Sequence, residues 1–170
     1  MFLDFASAWE AVVDVVPSRD AIVQGDRRLT YEQFDDAAAR VATAIEAAGV
    51  PEGATVALYL YNSPEYLICQ YGAFKHRAVP VNVNYRYLDD ELVYLLENSD
   101  ARVLVYHTSL SATVERVKDR LDDVRLFVEV DDGGDHVDGA VPIEGLLASH
   151  EPQERKTRSG DDLYLSLIHI

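Results

Sequence analysis

From the amino terminus, Phe5, Ala8, Trp9, Val12, Val13 and Val16 recur at helical spacing, which places them on one face of a helix over residues 5–16. Pro17 ends it. Two short β-rich runs follow, Ala21-Ile22-Val23 and Arg28-Leu29, and the intervening Gln24-Gly25-Asp26 predicts a hairpin with glycine available for the turn. Thr30-Tyr31-Glu32-Gln33 has the form of a capping box, in which the threonine hydroxyl accepts from the backbone three residues on and the glutamine side chain reaches back. The helix it starts carries Phe34, Ala37, Ala38, Val41, Ala42, Ile45 and Ala48 as its apolar stripe, and Gly49 stands where a left-handed residue closes such a helix.

Strand-length apolar runs then alternate with helical stripes. Residues 55–61 are almost continuously apolar, as expected of a strand covered on both faces, and Ser63-Pro64 supplies the cap and first-turn proline of a helix running to Phe74. Residues 79–83 predict the next strand. Asp89-Asp90-Glu91 puts acidic groups where a helix dipole favours them, with Leu92, Leu95 and Leu96 facing inward. A strand over 102–106, a short helix over 113–121 with Val114, Val117 and Leu121 on one side, and a strand over 126–130 complete the alternation. The fold class this implies is α/β, a parallel sheet with helices on its faces. Asp131-Asp132-Gly133-Gly134-Asp135 is read as a surface turn, since the glutamate a calcium loop needs at its twelfth position falls on Pro142 or Ile143. Residues 148–161 are linker-like, and one last strand is expected from Asp162-Leu163-Tyr164.

Composition narrows the function classes. At 48% hydrophobic and 26% charged residues the chain is globular, and 30 acidic against 15 basic side chains, a net charge of −15, disfavour nucleic acid and anionic membrane as partners. The single cysteine, Cys69, excludes an intrachain disulfide and a cysteine zinc cluster. No basic segment leads into an apolar stretch at the start, and no apolar run reaches the roughly 20 residues of a membrane helix, so a cytoplasmic protein without an integral membrane segment is expected.

No catalytic or metal motif is complete. The glycines form neither GxxxxGK[ST] nor GxGxxG, no serine sits in a GxSxG elbow, and His76, His107, His136, His150 and His169 lack the i, i+4 pairing of helical metal sites. The histidines are expected to be surface or packing residues, and Asp89, Asp90 and Glu91 a solvated helix start. Asn82, Asn84, Tyr85 and Arg86 follow a predicted strand, where open α/β sheets bind ligands. They have two readings: contacts to a substrate pocket, or asparagines that shape a turn with tyrosines packed over the sheet.

These segments together resemble the AMP-forming acyl-CoA synthetases of the adenylate-forming superfamily. The likeness lies in Pro17-Ser18-Arg19-Asp20-Ala21-Ile22, in Arg28-Leu29-Thr30-Tyr31-Glu32-Gln33-Phe34-Asp35, in Val56-Ala57-Leu58-Tyr59-Leu60 with Asn62-Ser63-Pro64-Glu65, and in Ala78 through Tyr87; it covers residues 15–165. The VNVNYRY stretch is most similar to bacterial fatty-acyl and steroid-acyl CoA synthetases. The resemblance implies the amino-terminal part of the large domain of an enzyme that uses ATP, Mg2+ and CoA on a small carboxylic acid, with residues 1–165 native and 166–170 a non-native tail. Leu165-Ser166-Leu167-Ile168-His169-Ile170 is what a translated sequencing-library adapter gives, and it stands where the family has a Ser/Thr/Gly-rich phosphate loop. None of the family's catalytic, metal or ATP-binding residues is expected in this chain, which is expected to bind none of the three and to be inactive alone. His76 and Arg77 depart from the family's common Ala-Gly. A free-standing α/β binding domain, or an adenylate-forming enzyme with another acceptor, are the alternatives.

Overall fold

The computed structural model describes residues 4–158. Helix α1 spans Phe5–Val15, with Asp4 accepting from the Ser7 amide at 2.8 Å as its cap. Strands β1 (Asp20–Gln24) and β2 (Arg27–Thr30) pair antiparallel across a turn in which Gly25 takes a positive φ of 57°. Thr30 and Gln33 form the capping box reciprocally, and α2 runs over Tyr31–Ala47. The alternation follows as β3 (Thr55–Tyr59), α3 (Pro64–His76), β4 (Val79–Asn82), α4 (Asp89–Asn98), β5 (Ala101–His107), α5 (Ser111–Val117) and β6 (Leu126–Val130).

Two elements were not legible in the sequence: β7 (Val141–Pro142), which pairs parallel with β6, and α6 (Ile143–Ser149). At two residues, β7 is too short to show a period, and α6, seven residues long, runs at its end into the linker-like stretch that begins at 148. The remaining linker residues, 150–158, hold no regular structure yet are tied down. Gln153 donates its amide to the Ala39 carbonyl, Thr43 and Arg40 hold the carbonyls of Glu151 and His150, and Arg155 forks onto Asp14. The strand expected from Asp162 and the tail at 166–170 lie outside the described residues.

The five parallel strands lie in the order β4-β3-β5-β6-β7. Helices α2, α3 and α6 cover one face through Val41, Ile45, Ile68, Cys69, Ile143 and Leu146. Helices α4 and α5 cover the other through Leu92, Leu96, Val114 and Val117. Every residue of β3 is buried, which accounts for its unbroken apolar sequence. Gly72 sets the spacing of α3 on α2, because a Cβ there would lie 2.5 Å from Val41 Cγ1. Under α1, Trp9 packs on Tyr31, Phe34 and Tyr71 with ring centroids 4.7–5.0 Å apart. Among the described residues the outermost strands, β4 and β7, each carry a proline, Pro80 and Pro142, which removes a ladder donor from each.

Candidate functional site

The chain enters the sheet at β3, steps to β4 on one side, then returns past β3 to β5 on the other, with the crossover helix changing face as it does so. That reversal leaves a crevice beyond the carboxyl ends of β3 and β5, the place where open α/β sheets take ligands. Three segments line it: Tyr61 after β3, Asn84-Tyr85-Arg86 after β4, and His107 at the end of β5.

Their mutual geometry is close. The Tyr61 ring lies 4.8 Å from the Tyr85 ring and 5.3 Å from the His107 imidazole. The Arg86 guanidinium carbon stands 5.5 Å over the Tyr85 ring, within cation–π range. The Tyr61 amide donates to His107 Nδ1 at 3.0 Å. Burial pulls the His107 pKa down, against the opposing pull of Asp132 and Glu65, so the imidazole is held neutral with its hydrogen on Nε2.

The loops are fixed from below. Tyr59, buried at the end of β3, donates its hydroxyl to the Tyr87 carbonyl at 2.6 Å, and that burial pushes its own pKa up. Asn84 Oδ1 accepts from the Arg86 amide at 3.1 Å, an Asx turn. On the β6 side, Asp132 accepts from the Ser109 amide and hydroxyl at 2.6 Å each and from the Thr108 hydroxyl at 3.0 Å. Burial works against the Asp132 carboxylate, but these donors win and hold its pKa below the ordinary range. The expected surface turn at 131–135 is therefore seated on β5: Gly134 approaches Thr108 so closely that a Cβ would meet its carbonyl oxygen at 2.1 Å.

The four residues singled out from sequence divide. Tyr85 and Arg86 are exposed and join the crevice, Asn84 shapes the turn, and Asn82 is an exposed strand end. Sequence reasoning missed Tyr61 and His107 as members of the crevice. Tyr61 closes the apolar run 55–61 and His107 directly follows the run 102–106, but only the sheet order shows the two strands to be neighbours. The other histidines divide as well. His76 is buried and donates Nε2–H to the Val50 carbonyl, His136 pairs with the buried Glu129 at 2.6 Å, and His169 lies outside the described residues. The start of α4 is ion-paired rather than only solvated, with Asp89 and Asp90 facing Arg116 and Arg120 of the following α5 segment.

Triphosphate binding needs a cradle of backbone amides, usually glycine-rich, and none of these turns supplies one. The turn after β3 opens α3 with Pro64, and its Ser63 hydroxyl already caps Tyr66. The glycine-bearing loop after β6 carries Asp131, Asp132 and Asp135, whose charge repels phosphate. These turns do not fit a triphosphate, and among the described residues no group of three His, Cys, Asp or Glu stands together as a metal site.

Residues 9–167 match the AMP-binding enzyme family. The chain belongs to that family. Among its relatives, the medium-chain acyl-CoA ligase Mig of Mycobacterium avium is 36% identical over 172 residues, covering 92% of this chain and 31% of that protein. The 3-oxocholest-4-en-26-oate–CoA ligase of Rhodococcus rhodochrous is 36% identical over 97% of this chain and 30% of its own length. A solved Mycobacterium tuberculosis fatty acyl CoA synthetase superposes with a TM-score of 0.82 at 26% identity over 95% of this chain and 32% of that one. The anthranilate CoA ligase AuaEII, at 22% identity and a TM-score of 0.85, covering 96% of this chain and 32% of its own, shares the fold. The AMP-binding chain thus spans about a third of the length of the relatives it matches. The parallel α/β sheet is that of the amino-terminal part of the adenylate-forming fold. Among the described residues no helix is long and apolar enough to cross a membrane.

Proposed function

We propose that this chain is the amino-terminal part of an ATP-dependent acyl-CoA synthetase, which joins a fatty or steroid carboxylic acid to CoA through an acyl-adenylate. The observation that carries this reading is its 36% identity to acyl-CoA ligases across nearly its whole length. Within that enzyme the chain is scaffold and one wall: its sheet positions Tyr61, Tyr85, Arg86 and His107 at the strand carboxyl ends, with Asn82 and Asn84 shaping the approach. An exposed guanidinium beside closely packed, tilted rings suits an anionic group carried on an apolar or planar body.

ATP, Mg2+ and CoA serve the whole enzyme, and the residues that hold ATP lie outside this chain. Residues 1–165 belong to the large domain, with 148–161 leading on from it, and 166–170 are non-native. The reading is tested by recovering the gene by a route free of adapter sequence and assaying the full product for pyrophosphate release with decanoate, CoA and magnesium-ATP. Release dependent on both acid and CoA supports it; a genuine stop after Ile170 sinks it and favours a free-standing α/β binding domain.

A further inference from the structure

We propose that His107 is a positioning residue whose unprotonated Nδ1 holds the turn after β3 against β5 and so sets the Tyr61 and Tyr85 rings of the crevice, which loosens when that nitrogen takes a proton. The functional weight of this device rests on the proposed role of the crevice wall; the device itself does not.

The argument begins with donors and acceptors. An N–H is a donor only, so the Tyr61 amide requires a lone pair opposite it, and Nδ1 at 3.0 Å supplies one only while the ring is neutral. His107 is the last residue of β5 and is paired in register with Val130, so its backbone is fixed by the sheet rather than by the loop it holds. The imidazole is buried, with 5% of the residue exposed, and its ring flanks Tyr61, which in turn flanks Tyr85. Tyr61 has no regular structure of its own, since β3 ends at Tyr59 and α3 begins at Pro64. The hydrogen bond from the Tyr61 amide thus ties this turn to β5, while the Gln24 side chain donates to the Asn62 carbonyl from β1.

Protonation would set an N–H against an N–H. Two carboxylates stand near enough to attract the resulting charge, Glu65 on α3 and Asp132 on the loop after β6. Both are already engaged, Glu65 with Arg27 at 2.5 Å and Asp132 with Ser109 and Thr108. The next residue, Thr108, anchors the β6 loop through Asp132 and Gly134, so His107 and Thr108 together tie the turns on either side to β5. Only the His107 tie responds to protons in the range where an ordinary histidine titrates.

The test is an NMR titration of the whole chain, labelled on histidine and tyrosine, from pH 8 to pH 5. At pH 8 the His107 ring should be the Nε2–H tautomer. The Tyr61 amide should shift together with the His107 ring at a midpoint below about 6.5, the ordinary histidine value, and ring contacts between Tyr61 and Tyr85 should fade across the same step. A Tyr61 amide that stays flat while His107 titrates overturns the proposal. His107→Asn, whose Oδ1 stands near the place of Nδ1 and does not titrate, should keep the ring contacts at both pH values. His107→Phe should lose them at both. If His107→Phe fails to fold, His107→Asn carries the decision: an unchanged pH-dependent opening in that variant refutes the role of His107. Adding decanoate while watching the same tyrosine signals reads the wall proposal separately, and its failure leaves the His107 result standing.

Discussion

At the scale of single residues, backbone conformation gives the sharpest tests. Arg77 closes α3 with φ at 68°, a left-handed conformation that costs a residue with a Cβ about 1 kcal/mol or more. Arg77→Gly should therefore be more stable than Arg77→Ala by about 1 kcal/mol, both having lost the ion pair to Glu52, as read from urea midpoints. Gly72 is the opposite case. A methyl group there meets Val41 and approaches the Ala38 carbonyl at 3.0 Å, so Gly72→Ala should cost about 1–3 kcal/mol by forcing α3 off α2. The strain at Arg77 was legible only as a departure from the family's common Ala-Gly. The close approach at Gly72 was not legible at all, because it depends on Val41, a neighbour distant in sequence. Tyr61 and His107 were hidden for the same reason: each looks like a strand-end residue until the sheet order sets the two side by side.

At the scale of elements, periodicity located most helices and strands because burial on one or both faces writes itself into the apolar spacing. It failed for residues 150–158, where the holding force is charge. Arg158 and Lys75 are nearly buried beside Glu10, with Asp35 2.7 Å from Lys75, joining α1, α2, α3 and the 150–158 segment in one cluster. Burial alone would raise the Glu10 pKa, but the hydrogen bonds from Arg158 and Lys75 bring it below the ordinary value. The basic run Arg155-Lys156-Thr157-Arg158, within the linker-like stretch, has its cations engaged by Asp14, Glu46 and Glu10. Lys75→Met should cost about 3–5 kcal/mol, since it leaves buried carboxylates short of a partner. Asp14→Asn, at an exposed pair, should leave the urea midpoint unchanged within error. Equal effects of the two substitutions would show that the buried cluster is not what anchors α1.

At the scale of the whole molecule, pH should act through groups the fold keeps uncharged or charged. Burial holds His76 and His107 below the ordinary histidine value, so the unfolded chain takes up protons first as pH falls. Their contribution to stability is complete above about pH 6.5 and is lost as pH drops through the lowered folded values. Glu10, Glu65 and Asp132 are lowered as well, and their contribution persists until pH falls below the ordinary carboxylate range. A net charge of −15 works the other way, because acid relieves self-repulsion, so the comparison is made between variants. Thermal melts followed by Trp9, the only tryptophan and packed in the aromatic cluster, should show wild type losing ground to His107→Asn as pH falls from 7 to 5.5. Parallel curves would mean that folding does not shift the protonation of the His107 imidazole.

Among the described residues the sheet has helices on both faces and a crevice beyond the carboxyl ends of β3 and β5, and the turns that line it offer no phosphate cradle. The central claim, that this chain shapes an acyl-CoA synthetase without holding its ATP, is tested most directly by calorimetric titration of the 170-residue chain with magnesium-ATP at physiological salt. The account predicts no saturable heat, only weak signals that vanish as salt is raised. Saturable micromolar binding that survives added salt would contradict it and would place the nucleotide within this sheet.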